Sequence, residues 1–409
     1  MTEGAITRTF LVGAFGDPGH AFPAIALGRA LRSRGHRVAI QTWRKWKEHV
    51  EREGLEFHAA PEYQVFPTRE RPLKPYEAVV RAANETRPLV ERLRPDAVVS
   101  DILTLAPALA AELEGLPWAT LVPHVYPPPA DGVPPYGIGG LPARGLLGRR
   151  FWKALSHAET MGLERGRREL NETRRRVGLP ELDYPHGGIS RRLCLVGTFP
   201  QLELPRAWPD HVHVTGPLMW EPPAEGVALP PGDRPLVVVA PSTSQDTRGK
   251  MIAAALRGLA DLPVRVLATY NRRPPALSVP LPANARVVQW MSYSRTMPHA
   301  DVVVCHAGHG TLVRALASGV PVVAVPVAGD MAENAARLQW AGAGLALPER
   351  LVTPRTLRWV VQRVLEEPRF AARARELATW AAANDGAERA AALVEECASA
   401  TTASRVPIF

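Results

Sequence analysis

Short apolar runs, each ending in a polar turn and leading into a helical pattern, constrain this chain most. In the second half they read LVVVAPST from 236, PVRVLATY from 263, ARVVQWM from 285, ADVVVCHAGHG from 300 and PVVAVPVAGD from 321. Strands written as unbroken Val/Ile/Leu runs are covered on both faces, which is the mark of a parallel sheet between helical layers. The first half uses the same grammar. A strand over about Thr9–Ala14 is followed by a Gly/Pro turn and a helix pattern from Phe22 to Ser33. HRVAIQT, PDAVVSD (95–101) and PWATLVPH (117–124) read as three more strands, with a helix over Leu105–Leu113 between the last two.

Two α/β domains follow from this repetition. The 409 residues, 46% of them apolar, supply enough material for two cores. The Pro-rich stretch 217–235 reads as the linker between a first domain, 1–216, and a second domain, 236–386. A helical tail, 387–409, is expected to pack back toward the first domain. Tyr126–Leu147 is rich in Pro and Gly and reads as a long loop before a helix over about Phe151–Val177.

Composition removes several classes. Three cysteines, Cys194, Cys305 and Cys397, make neither a disulfide framework nor a metal cluster. The N-terminus lacks the basic and long apolar segments of a signal peptide, and no apolar run reaches membrane-spanning length, so a cytoplasmic protein is expected. The net charge of +9 favours anionic partners. Without a nucleic-acid module, small phosphorylated ligands fit better than a nucleic-acid polymer, and peripheral membrane contact stays open. The arginines at Arg165–Arg168 and Arg174–Arg176 have the spacing of a solvated helix face.

Ligands of open α/β sheets bind beyond the C-terminal strand ends. In the second domain His306 follows an apolar run. Gly308 and Gly310 allow a tight turn, and Thr311 begins or caps the next helix, whose first N–H groups suit a phosphate. Ser242 and Thr243 add hydroxyls from a neighbouring strand end. Asp330 and Glu333 can accept from sugar hydroxyls, or simply favour a helix N-terminus. In the first domain His20 can act as a general base, and Asp101, at another strand end, is its best partner. His124 can line the same cleft. The Lys-Ser/Thr ending of a P-loop, a dinucleotide fingerprint, a GxSxG elbow and close-spaced metal ligands are all missing from the sequence.

Across nearly its whole length the sequence resembles the family 1 nucleotide-sugar-dependent glycosyltransferases, of two-domain GT-B architecture, and above all bacterial natural-product and macrolide members. The most specific stretch is VVQWMSYSRTMPHADVVVCHAGHGTLVRALASGVPVVAVPVAGDMAENAARL, supported by GDPGHAFPAIALGRALRSRGHRVAI and DAVVSDILT. The resemblance implies an α/β GT-B fold, two Rossmann-like domains with a cleft between them. It makes His20 the base and Asp101 its partner. Trp290 would stack under the nucleobase, with Gln289 and Met291 beside it. His306, Gly308, Gly310 and Thr311 would hold the diphosphate, Ser242 and Thr243 would contact the donor, and Asp330 the sugar. Arg314 stands where many members have a ribose-binding glutamate, and Met331 where glucose users often have glutamine. Arg314, Met331 and Glu333 are therefore donor or sugar contacts by position only.

The implied reaction moves a hexose or deoxyhexose from a UDP- or dTDP-sugar to a hydroxyl of a hydrophobic acceptor, with inversion, no tightly bound cofactor and no metal requirement. Tyr63, Phe66, His124, Tyr126 and Tyr136 are the acceptor-side candidates, and the chain is expected as a monomer or homodimer. A nucleotide-sugar epimerase of the same architecture and a non-catalytic glycosyltransferase helper are the alternatives.

Overall fold

The computed structural model describes residues 6–62, 75–143, 145–242, 249–270 and 281–404. Two parallel sheets organise them. The first contains β1 (Thr9–Gly13), β2 (Arg37–Thr42), β3 (Glu56–Ala59), β4 (Ala97–Asp101), β5 (Trp118–Val122), β6 (Cys194–Val196) and β7 (Val212–Val214). The second contains β8 (Leu236–Ala240), β9 (Arg265–Thr269), β10 (Ala285–Val288), β11 (Val302–Cys305), β12 (Val322–Ala324) and β13 (Gly344–Ala346). The strand orders are β3-β2-β1-β4-β5-β6-β7 and β10-β9-β8-β11-β12-β13.

Burial explains the unbroken apolar runs. Phe10, Leu11 and Val12 of β1 and Leu236–Val239 of β8 have no exposed surface, so neither face of either central strand meets water. In both sheets the order reverses beside the first strand, between β1 and β4 and between β8 and β11. These are the two switch points where open α/β sheets leave a crevice at their C-terminal edge.

Several elements escaped the sequence reading. β3, β6, β7 and β13 are only three or four residues long, too short for a periodic signal. The first helix starts at Pro18, not Phe22, because Pro at its first position is compatible with a helix start. His20 therefore lies in the helix's first turn rather than before it. The last helix, Gly386–Ser404, crosses to the first lobe, where Ala390, Ala391 and Val394 join the core that holds Ile25 and Leu27. Ser33, Arg34 and His36 meet Glu388 and Glu395 at the edge of that contact.

Candidate active site

The register of β1 on β4 pairs Gly13 with Ser100, which brings Asp101 beside the turn that follows β1. Asp101 is buried, and its carboxylate accepts from the backbone N–H groups of Phe15 at 3.0 Å and Leu103 at 3.1 Å. His20 approaches it from the adjacent helix. Its Nδ1 lies 2.9 Å from Oδ2 and 3.0 Å from Oδ1. The ionised carboxylate makes Nδ1 the proton-bearing nitrogen and leaves Nε2 as the acceptor in the neutral ring. Burial pulls the His20 pKa down. The charge and hydrogen bond of Asp101, with smaller contributions from Asp330 and Asp17, outweigh it and hold the pKa above its ordinary value.

His124 stands beside this pair, its ring centre 6.1 Å from that of His20 and nearly perpendicular to it. Its Nδ1–H donates to the Val125 carbonyl at 2.8 Å. Burial, then the nearby His20 charge, push its pKa down, so His124 is a neutral neighbour rather than a second cation. The Tyr136 hydroxyl lies 3.5 Å from His124 Nδ1. Asp330, from the second lobe, is close enough to influence His20, His124 and Tyr136 electrostatically. The two strand-end clusters therefore face one crevice.

On the other wall, Cys305 pairs with Ala240, placing His306 beside Pro241 and Ser242. His306 Nδ1 lies 3.3 Å from the Ala240 carbonyl. Ala307 follows at φ +62°, a left-handed conformation uncommon for a residue with a Cβ. Asn334 Nδ2 donates at 3.0 Å both to the Ala307 carbonyl and to Asp330 Oδ2, tying the turn to Asp330. The helix His309–Ala317 then begins with Gly308 at its N-cap and no side-chain cap hydrogen bond. Its first amide groups and dipole suit an anion.

Gly308 has a specific reason to be glycine: an added Cβ would lie 2.2 Å from His306 Nε2. At Gly310 an added Cβ would meet nothing within 4 Å. Gly308→Ala should displace the His306 ring and weaken nucleoside diphosphate binding about tenfold or more, whereas Gly310→Ala should leave that ring in place. Titration calorimetry of both variants checks this, and equal affinities for Gly308→Ala and the native chain would remove the claim.

The remaining sequence candidates divide. Trp290 follows β10 and is 46% exposed, as a stacking surface needs; Gln289 beside it is also exposed. Met291 is 2% exposed and belongs to the second lobe's core, so its side chain is not at a ligand surface. Ser242 is buried at the β8 end, and Thr311 is half-buried in the first turn of its helix. Met331 is half-buried at the start of the helix that Asp330 caps. Thr243, Tyr63 and Phe66 lie outside the described residues.

Three expectations need correction. Arg314 donates to the Trp220 carbonyl at 2.9 Å and stands 3.7 Å from Glu221, so it fastens the interdomain segment to the His309–Ala317 helix. Glu333 is 1% exposed and accepts from Arg337 Nε at 2.9 Å. Arg337 also donates to Glu203 of the first lobe at 3.1 Å, making Glu333 part of a buried ion cluster between lobes instead of a sugar contact. Tyr126 is buried against Trp208, not open to an acceptor.

Sequence reading missed two participants. His309 is buried, donates through Nε2 to the Gly197 carbonyl of the first lobe at 3.3 Å, and has a pKa lowered to about 4, chiefly by burial. It joins the lobes as a neutral ring. Its interleaved position in CHAGHG was the available signal. Asn334 had none, because its partners are set by the turn geometry.

Two facing parallel lobes, with an imidazole–carboxylate pair on one wall and an anion-receptive turn on the other, define a GT-B glycosyltransferase. Residues 253–396 match the C-terminal domain of the erythromycin biosynthesis protein CIII-like family, and residues 10–118 match the glycosyltransferase family 28 N-terminal domain. The chain belongs to the family of bacterial natural-product glycosyltransferases. It is 30% identical to 4'-demethylrebeccamycin synthase of Lentzea aerocolonigenes, over 94% of this chain and 98% of that one. It is also 30% identical to O-mycaminosyltylonolide 6-deoxyallosyltransferase of Streptomyces fradiae, over 96% and 98%. Among solved structures, the kitacinnamycin glycotransferase superposes with a TM-score of 0.77 at 22% identity, covering 96% of this chain and 99% of that one. Glycosyltransferase VinC in complex with dTDP gives 0.71 at 21% identity, covering 96% and 99%. These last two likenesses concern the fold.

Among the described residues no group of three or more His, Cys, Asp or Glu is arranged to hold a metal, and no helix is long and apolar enough to cross a membrane.

Proposed function

We propose that this protein is an inverting O-glycosyltransferase that moves a hexose or deoxyhexose from a UDP- or dTDP-sugar to a hydroxyl of a lipophilic natural product. The observation that supports this reading most is the His20–Asp101 pair, with Asp330 of the second lobe near enough to act on His20 electrostatically. The acceptor hydroxyl presents its proton to His20 Nε2 as its oxygen attacks the anomeric carbon. Asp101 stabilises the imidazolium as it forms. The bond to the diphosphate breaks on the opposite face of the sugar, and the leaving charge meets the first amides of the His309–Ala317 helix.

The Ala240 carbonyl accepts from His306 Nδ1–H, which leaves Nε2 of a protonated ring to donate to a phosphate oxygen. Trp290 supplies the face on which the nucleobase stacks. Helix amides and His306 offset part of the diphosphate charge, so the reaction proceeds without a metal. Asp330, held by Asn334, accepts from a sugar hydroxyl.

A donor-by-acceptor screen read by intact product mass tests the activity. It should contain UDP-glucose, dTDP-deoxyhexoses and hydroxylated lipophilic acceptors. Product NMR is expected to show the anomeric configuration opposite to that of the donor. Retained configuration would eliminate direct displacement at His20, and turnover abolished by chelators would overturn the metal-independent reading.

A further inference from the structure

The helix Leu146–Val177 has two unlike halves. In its C-terminal half every arginine but Arg168 is paired: Arg165 with Glu169, Arg167 with Glu164, Arg174 with Glu112, and Arg175 and Arg176 with Glu172. These charges are spent within the protein. The N-terminal half differs in charge and in hydropathy.

Leu146 and Leu147 are 79% and 82% exposed, Phe151 57%, Leu155 38% and Met161 66%. Other exposed large apolar side chains among the described residues are scattered more widely along the chain. Leu147, Phe151 and Leu155 stand one turn apart, and Met161 returns to within about 40° of Leu147 around the axis. They form one stripe. Trp152 and Glu159 border the stripe on its Leu155 side and bind the preceding loop, Trp152 donating to the Leu141 carbonyl at 3.1 Å and Glu159 accepting from Tyr136 N–H at 3.5 Å. Its exposure turns the stripe toward solvent.

Beside the stripe lie Arg150 and Lys153, both exposed and forming no ion pair among the described residues. No acidic residue occurs from position 132 to position 158. An apolar stripe flanked by unspent cations has the composition of a helix that lies in a membrane interface, with apolar side chains among acyl chains and cations among headgroups. A neutral protein groove would satisfy the stripe but not the charge.

We infer that the loop and helix around Leu147 and Phe151 dock on an anionic lipid surface, held by the apolar stripe and by Arg150 and Lys153. This surface lies outside the proposed transfer site, so its test needs no turnover.

The full chain should be sedimented with vesicles of phosphatidylcholine alone and with vesicles containing about one-third phosphatidylglycerol. Binding to the anionic vesicles is expected to be at least about tenfold tighter and to weaken with added salt. Leu147→Glu with Phe151→Glu should lower it more than about tenfold. Arg150→Glu with Lys153→Glu should remove most of the preference for anionic lipid. Both pairs replace exposed side chains, and unchanged circular dichroism verifies folding. Equal binding to both vesicle types, no binding to either, or insensitivity to both double variants would overturn the inference. So would a dimer in sedimentation velocity that the Leu147/Phe151 variant dissolves while native protein ignores vesicles, since a second copy would then cover the stripe.

Discussion

Replacing His20 with alanine should lower kcat about a hundred- to ten-thousandfold and leave nucleotide-sugar affinity nearly unchanged. The imidazole is the base in the proposed transfer, and a positioned base contributes a factor of that order. The donor, in that reading, lies against the other lobe, around His306 and Trp290. Single-turnover kinetics and calorimetry separate the two quantities, and native transfer rates in the variant would dismiss His20 as the base.

The pH profile gives the same pair a second test. Wild-type kcat/KM should rise with pH through a pKa above 6.5, because Asp101 more than offsets the burial of His20. Asp101→Asn removes that charge and leaves burial in command. The acid limb should then move to lower pH while the maximum falls, since the imidazolium has lost its partner. A limb that stays in place would show that Asp101 does not set the protonation of His20. The linkage to stability has the matching sign. Folding favours protonated His20, so this contribution is present below the unfolded-state pKa and fades as pH rises through the raised folded-state value.

Arg337 should produce the largest loss of stability. It is 1% exposed and bridges Glu203 at 3.1 Å and Glu333 at 2.9 Å. Arg337→Met strands two buried carboxylates, and breaking a buried pair in this way costs about 3–5 kcal/mol. Arg206 lies close enough to influence Glu203 electrostatically, but it already donates to the Pro128 carbonyl and cannot replace a guanidinium seated between both acids. Urea denaturation at neutral pH should show the loss. Adding Glu203→Gln and Glu333→Gln should recover part of it, because the uncompensated charges are then gone. A variant as stable as the native chain would mean that these carboxylates find water or other partners when the lobes relax.

The cluster also joins the two lobes. Glu203 accepts from Tyr126 N–H at 2.7 Å, on the loop leading away from His124, while Glu333 and Arg337 ride on the helix capped by Asp330. That loop reaches the same helix at Gly139, where φ is +65° and an added Cβ would lie 2.7 Å from the Ala332 carbonyl oxygen. With the His309–Gly197 bond, these contacts make the crevice a braced surface rather than a gap between independent domains.

The parallel class, the two-lobed plan and the strand ends worth searching were legible in the sequence because those signals are local. A buried parallel strand must be apolar throughout, and its turn into a helix needs small or polar residues within a few positions. VVVCHAGHG carries all of that in nine residues. Tertiary structure decided which polar side chains meet. His20 and Asp101 are 81 positions apart, Gly197 and His309 are 112 apart, and Glu203 and Arg337 are 134 apart. No helical or strand period links such pairs. For the same reason the sequence offered Glu333 and Arg314 to a ligand, and the fold gave them to Arg337 and to the interdomain segment. A carboxylate or guanidinium advertises its chemistry wherever it stands, but burial and the nearest opposite charge choose its partner, and both exist only once the lobes have packed.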